Sequence, residues 1–459
     1  MKSPNTTLSR SAISLGATAA VGGLLFGFDI AIITGAGPFL AEHFHLGPIG
    51  LGWAFSSLLF GCVLGSALAG WIADHYGRRL PLLWVAVLFA LTSVATGLAP
   101  TFGLFIAARL LGGIAVGAVS VLAPMYVSEI SPAAGRGRMG ALYQLAIVAG
   151  ILISYLVNFA LHDIGAWGWR WMFITGALPS ALYWILLWRA PDSPRYLVLA
   201  GREAEAGAVL ARWLPPAEVA AEIGQIRASV AQRSSGWVEL RRPALRRPLG
   251  IGFALAILIH VSGINTIIDY APQIFLSAGW SMDVALFSTF GIGLANFLFT
   301  LVSFRVIDRY GRKPLYLVGS LGMTVALVGL TLAAATDHFS GGLLLGLIML
   351  YIAFFAACIG PVFWTLVPEI FPNRVRGEAM TVPVLTQWVT NAVVVLLFPY
   401  AFHHAGKALT FGFLATMALL QAWFSWRFVP ETKGRTLEEI EAQFSAKSGN
   451  AGTAVSGQR

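Results

Sequence analysis

Residues 74–79 read DHYGRR, and residues 308–313 read DRYGRK. A second echo keeps step with the first: EISPAAGRG at 129–137 returns as EIFPNRVRG at 369–377. In both copies the glutamate precedes the arginine by seven residues. One matching pair of short motifs can arise by chance, but two pairs in register indicate a duplicated unit. Each first motif follows the second apolar segment of its half, and each second motif follows the fourth. The chain therefore reads as two related halves of similar layout.

Composition says what kind of halves these are. Of 459 residues, 57% are hydrophobic and only 11% charged, where soluble domains carry about 25% charged. With a mean hydropathy of +0.75, the chain reads as a polytopic membrane protein. Apolar windows of span length fall near 13–35, 51–72, 81–99, 103–127, 139–162 and 168–189. They resume near 248–270, 281–304, 314–335, 342–367, 379–402 and 407–428. At this length only helices satisfy their own backbone in lipid. The expectation is an all-α membrane protein with twelve transmembrane helices in two pseudo-symmetric halves, 1–190 and 248–429. A cytoplasmic linker at 191–247 and a tail at 430–459 complete it. No cleavable signal peptide is evident, since the first apolar run is too long for one. Cys62 and Cys358 both lie in apolar segments and offer neither a disulfide framework nor a metal signature.

The net charge of +9 is placed by topology. With the N-terminus in the cytoplasm, the expected outer loops contain no lysine or arginine. Arg170 and Lys407 flank outer ends, Arg109 falls within span four, and every other basic residue lies at the inner side or in the tails. This is the positive-inside pattern, so the basic charge does not point to nucleic acid. Within the linker, REAEAGAVLARWL and AEVAAEIGQIRASVAQR read as short amphipathic helices, and residues 447–459 read as disordered.

The repeated motifs have a chemistry of their own. Asp74, Arg78, Arg79, Glu129 and Arg136 stand at helix ends in the first half; Asp308, Arg309, Arg312, Glu369 and Arg376 stand there in the second. Arginine–carboxylate pairs are directional and can be bidentate. If they bridge neighbouring helices, they form a cytoplasmic gate that holds the inner face closed. The plainer alternative is that they only fix topology.

Further stretches carry a resemblance. GWIADHYGRR, PMYVSEISPAAGRG, WGWRWMF, PDSPRYL, SGIN, DRYGRK, PVFWTLVPEIFPNRVRG and PETKGRT run in order from about residue 22 to 436. Together they resemble the sugar porter family of the major facilitator superfamily. The repeat and the resemblance imply a transporter with its site between the halves. Ala, Gly and Arg usage points to a bacterial inner membrane, and the basic-residue count puts both termini in the cytoplasm. The lack of a catalytic constellation argues against an enzyme. A monomer is expected.

Asp29, in FGFDIAIITG at 26–35, is a carboxylate inside an apolar span, where a charge costs roughly 2.5–3.5 kcal/mol. Counted from the window edges, Asp29 in span one and Arg109 in span four lie at one depth. They are the buried charges of opposite sign in the first half. A carboxylate releases its proton readily beside an arginine and keeps it once that arginine leaves a dry site. Such a pair can serve as a proton-coupling device, or it can be a static ion pair that orients two spans. The resemblance favours coupling, because bacterial sugar:proton symporters carry aspartate at this place while facilitative glucose carriers are typically neutral there.

A sugar needs hydroxyl partners and an apolar face to stack on. Gln144, Asn265, Asn296 and Gln387 are amides in apolar segments, and Trp364 and Trp388 are tryptophans deep in spans. With Phe26, one turn before Asp29, all match sugar-contacting positions of the family the chain resembles. Span seven departs from that pattern. Ile259 and His260 stand where the family usually has two glutamines, and Asp269 and Tyr270 replace a tyrosine pair. His260 and Tyr270 are counted among the substrate-binding candidates; His260 could bond a hydroxyl, titrate, or simply pack. Ala356 stands in place of a gating-region glutamate of glucose carriers. No ATP-binding loop, metal cluster or nucleophile triad is found, so no cofactor is expected. The leading reading is proton-coupled uptake of a monosaccharide or related polyol. The alternative is a facilitative uniporter or a carrier of a different small polar solute. A sensor, which would call for a longer signalling tail, and a membrane enzyme are the weakest readings.

Overall fold

The structure is a computed structural model that describes residues 10–131, 136–231, 239–240, 242–336, 338–339, 341–372 and 375–434. Among these residues, twelve helical segments are long and apolar enough to cross a membrane. The protein is a multi-pass, all-helical membrane protein. By the density of its internal packing the chain divides into two compact units. The first comprises Met1–Gln232 with Ser281–Gly293, and the second comprises Arg233–Trp280 with Leu294–Arg459.

In the first unit, the spans are formed by α1 (Arg10–His43), α2 (Pro48–Tyr76), α3 (Arg79–Leu98), α4 (Phe102–Ile130), α5 (Arg136–Leu161), and the pair α6 (Gly168–Ile174) and α7 (Ala177–Trp188). Helix α1 runs on past the apolar window that ends at Gly35. Pro38 lies inside it, and it stops only where Glu42 and His43 reach the polar end. Spans one and five, and spans two and four, pack in close pairs. Small residues permit the approach: a side chain at Gly27 would run into the Ile147 carbonyl, and one at Gly61 into the Leu110 carbonyl. Three short helices follow, α8 (Pro194–Leu199), α9 (Glu203–Leu210) and α10 (Pro216–Ala231). They share a small apolar core of Leu197, Val198, Ala206 and Val209, with Trp213, Ile223 and Ile226 packed against it. Arg227 ties α10 to Glu203 at the start of α9.

In the second unit, span seven is broken. It consists of α11 (Pro243–Val261), α12 (Ile264–Asp269) and α13 (Ala271–Leu276). The break is at Gly263, whose φ of +96° belongs to the left-handed region that glycine occupies without penalty. A side chain there would also strike Leu414 at 2.6 Å. The Ser262 carbonyl accepts a hydrogen bond from the Tyr351 hydroxyl at 3.0 Å. Span eight is α14 (Met282–Tyr310), whose first turns up to Gly293 belong to the first unit; span nine is α15 (Arg312–Ala335). Span ten is α16 (Gly341–Phe354) and α17 (Gly360–Glu369), joined through a single π turn at Phe355–Ile359. Such turns recur at functional sites. Spans eleven and twelve are α18 (Arg376–His404) and α19 (Lys407–Phe428). Span seven packs on span eleven as span one packs on span five, and spans nine and twelve pair as three and six do.

Candidate functional site

The first unit holds its buried charge pair at the contact of α1 and α4. Arg109 is 2% exposed and Asp29 7% exposed. One guanidinium nitrogen, Nη1, donates to Asp29 Oδ1 at 2.9 Å and also approaches the Asp29 backbone carbonyl at 3.4 Å. The guanidinium sits 5.5 Å from the centre of the Phe173 ring. Around the pair lie Gly112, Thr92 and Cys62: a Cβ at Gly112 would stand 3.2 Å from Thr92 Oγ1 and 3.8 Å from Asp29 Oδ2. The arginine meets only one carboxylate oxygen, and its Nε is buried with no hydrogen-bond partner. A fork-to-fork pair would satisfy both. This pair is incomplete: one carboxylate oxygen and one guanidinium nitrogen carry the contact. Phe26, one turn before Asp29, and Gln144 on α5 are both half-buried in the same unit.

At the basic-rich end of the same unit, Arg78 and Glu129 form a two-point pair. Arg78 Nε lies 2.7 Å from Glu129 Oε2, and Nη2 donates to Oε1 at 2.8 Å. Arg79 goes elsewhere, donating to the carbonyls of Leu187 and Trp188 and so closing the end of α7. The spacing of the motifs did not single out Asp192. Its Oδ1 accepts from the backbone N–H groups of Arg78 (3.0 Å) and Arg79 (3.4 Å), capping the start of α3. Asp74 lies in the last turn of α2. The Arg136 side chain falls outside the described residues.

The second unit repeats this construction. Arg312 Nη2 donates to Glu369 Oε1 at 2.9 Å. Glu431 plays the part of Asp192, accepting from the backbone N–H of Arg312 and of Lys313, each at 3.1 Å. Thr432 adds a bond to Glu369 Oε2 at 2.5 Å, and Lys433 Nζ donates to the Arg309 carbonyl at 2.7 Å. Arg376 donates to the Phe371 carbonyl at 3.2 Å, five residues back in its own chain. The Asp308 side chain is outside the described residues. Asp192 and Glu431 had a signal in the sequence: an acid directly after a proline at equivalent places, in PDSPRYL and PETKGRT.

Also in the second unit are most of the candidate solute contacts. His260 lies in the last turn of α11 and Asn265 in the first turn of α12, so the two flank the break in span seven. The packing of α11 on α18 brings His260 beside the Gln387 amide. Both ring nitrogens of His260 are nevertheless buried with no partner in hydrogen-bond geometry, as is Asn391 Oδ1 one turn beyond Gln387. Buried polar atoms left open in this way are normally met by water or by a bound polar molecule. Gln387, Trp388 and Asn296 are buried, and Asn265 is half-buried. Trp364 is 43% exposed, so an indole face is left open on α17. The Tyr270 hydroxyl, by contrast, donates to the Val395 carbonyl at 2.9 Å, and its ring stacks on Phe398. Asp269 is buried at the end of α12 and Ile259 is buried on α11. Ala356 lies within the π turn.

Comparison with known proteins gives the family. Residues 15–444 match the sugar (and other) transporter family. The chain is 38% identical to the glucose transport protein of Synechocystis sp., covering 95% of this chain and 98% of that one. It is 35% identical to the D-xylose-proton symporter of Escherichia coli, over 95% and 97% of the two chains. An inward-open structure of the E. coli xylose transporter superposes with a TM-score of 0.83 at 32% identity, covering 94% of this chain and 99% of that one.

Proposed function

The chain belongs to the sugar porter family of the major facilitator superfamily, a family of transporters rather than enzymes, and from that premise we propose that it carries a monosaccharide or related polyol together with a proton. The observation that carries this reading is the Asp29–Arg109 pair, a buried carboxylate held by one hydrogen bond to a guanidinium that is itself incompletely satisfied. An ionisable group inside a span is expensive to keep, which favours a working role for the pair. In the proposed cycle Asp29 takes a proton as Arg109 moves off and returns it when the contact re-forms. The chain's similarity to a D-xylose-proton symporter supports the same coupling. The cell membrane, with both termini inside, is the proposed setting.

The solute is proposed to meet Phe26, Gln144, His260, Asn265, Asn296, Trp364, Gln387 and Trp388. The amides exchange hydrogen bonds with hydroxyls and the open Trp364 face covers C–H bonds. Tyr270 is proposed to act on this site through packing, because its hydroxyl already has the Val395 carbonyl. The Arg78–Glu129 and Arg312–Glu369 pairs are proposed to steady the cytoplasmic ends during the cycle. The halves 1–190 and 248–429, with the 191–247 linker, are the proposed working division, in a monomer.

A second reading is favoured by one group of residues. Ile259 and His260 stand in place of two amides that a pentose or hexose would use, and His260 and buried Asp269 introduce titratable groups. A site that lacks a partner for one hydroxyl discriminates sharply between close analogues. The alternative is therefore a carrier for a different small polar solute, with or without a proton. Counterflow in proteoliposomes, screened over sugars, polyols and sugar acids with and without a pH gradient, separates the readings. Sugar exchange with a coupled proton supports the first, and exchange indifferent to the gradient supports the second.

A further inference from the structure

The end of α5 opposite the basic-rich face carries a second arrangement of charge, remote in the sequence from Asp29. His162 follows directly on α5, Asp163 is its neighbour, and Asp283 lies in the first turn of α14. The imidazole side chain is only 9% exposed, while Asp163 and Asp283 are 87% and 71% exposed. Nδ1 lies 2.6 Å from the Phe159 carbonyl, and Nε2 lies 2.6 Å from Asp283 Oδ1 and 3.4 Å from Asp163 Oδ1.

Hydrogen-bond bookkeeping decides the protonation of this ring. A carbonyl oxygen only accepts, so Nδ1 must carry a hydrogen. An ionised carboxylate also only accepts, so Nε2 needs a hydrogen or a cation between it and the two aspartates. Asp283 sits in the first turn of a long helix, where the backbone dipole favours negative charge. A metal ion fits the spacing poorly: two ligands of one tetrahedral zinc stand roughly 3.2 Å apart, given bonds of about 2.0 Å. The 2.6 Å between Nε2 and Asp283 Oδ1 suits a shared proton in a charge-assisted bond.

We propose that His162, Asp163 and Asp283 form a proton-operated latch joining the end of α5 to the first turn of α14, closed when the imidazole is charged and released when it is neutral. The Phe159 and Phe287 rings meet at 5.7 Å, and Gly293 lies close against Tyr155 further along. On loss of the Nε2 proton, a nitrogen lone pair would face two carboxylates, and contact turns to repulsion. Burial of His162 pulls its pKa down, but the bonds to Asp283 and to the Phe159 carbonyl and the field of both carboxylates outweigh it, so the group titrates above the usual histidine range. A raised value means that the latch is fully made below the ordinary histidine pKa and is lost as pH rises through the raised one. Asp163 and Asp283 are the titratable groups that act on the ring. The neighbouring ends of α1 and α6 bring His43 and Arg170, but these pair with each other at 3.2 Å.

The test is a distance measurement in detergent between spin labels on Ala160→Cys and Val284→Cys, titrated from about pH 5.5 to pH 8.5; the native Cys62 and Cys358 are buried. The expected result is a short-distance population that dominates in acid and falls several-fold in base. His162→Gln should remove the pH step. Asp163→Asn, at an exposed position harmless to folding, should move its midpoint to lower pH. Asp29→Asn should leave the step intact, which separates the latch from the proposed proton coupling. The proposal is overturned by a flat wild-type profile, by a step that survives His162→Gln or disappears in Asp29→Asn, or by loss of the short population on adding a chelator.

Discussion

Spans one and seven open the two repeats and make equivalent contacts, one packing on span five and the other on span eleven. Span one is a single helix from Arg10 to His43 that carries its charge at Asp29. Span seven has no continuous helix: it turns at Gly263 and sets His260 and Asn265 on either side of the turn. The difference shows how a duplicated scaffold can divide its work. The buried ion pair is held between two long helices, α1 and α4. The break at Gly263 sets the proposed solute contacts His260 and Asn265 on separate helical segments. The basic-rich ends did not diverge in this way, since the same arginine–glutamate pair and acid cap occur in both units.

The sharpest way to break the comparison is to remove one member of the buried charge. Arg109→Leu leaves Asp29 uncompensated among apolar neighbours, and a broken buried pair costs about 3–5 kcal/mol. The expected outcome is a large drop in thermal stability together with loss of coupled uptake, read by a melting assay and by flux. Next in size is Gly263→Val. It places a β-branched residue at φ +96° against Leu414, and strain there costs about 1–3 kcal/mol before any clash is counted. Stability and solute binding should both fall, while Ala substitution at Gly250, which meets nothing within 4 Å, should change neither.

A finer contrast lies between the two ends that did not diverge. The Arg78–Glu129 side chains are 5% and 11% exposed, whereas Arg312–Glu369 are 17% and 28% exposed. Glu129→Gln should therefore cost about 1.5–3 kcal/mol, and Glu369→Gln about 1 kcal/mol or less. Equal losses by denaturant melting would remove the burial argument. The smallest effect is expected for Gln387→Ala, which should weaken solute binding about tenfold, near 1.4 kcal/mol, with folding unchanged. Isothermal titration on purified protein checks it.

Much of this was legible beforehand, for particular reasons. The twelve spans follow from apolar length, which the bilayer imposes without regard to tertiary detail. The end of the first span did not follow, because the apolar window stops at Gly35 while the helix runs on to His43. A helix already packed against α5 tolerates Gly35 and Pro38 and ends at the polar residues beyond. Asp29 and Arg109 were paired by counting from window edges. The pairing is observed at 2.9 Å even though α1 continues to His43, since the contact is set by which faces of α1 and α4 meet. The motif arginines and glutamates could be read as pairs, and in each unit one such pair is present. Their second partners, Asp192 and Glu431, were marked in the sequence only by an acid after a proline; their capping role depends on where the chain returns. The π turn at Phe355–Ile359 left no pattern in residue types at all.

The central claim is that Asp29 carries the coupled proton. The direct measurement is proton movement in proteoliposomes on addition of a sugar that binds, in wild type and in Asp29→Asn. The account predicts that the outside turns alkaline as sugar enters wild-type vesicles. Asp29→Asn vesicles should show no proton signal but retain sugar counterflow. Proton uptake that persists at wild-type stoichiometry in Asp29→Asn would contradict it.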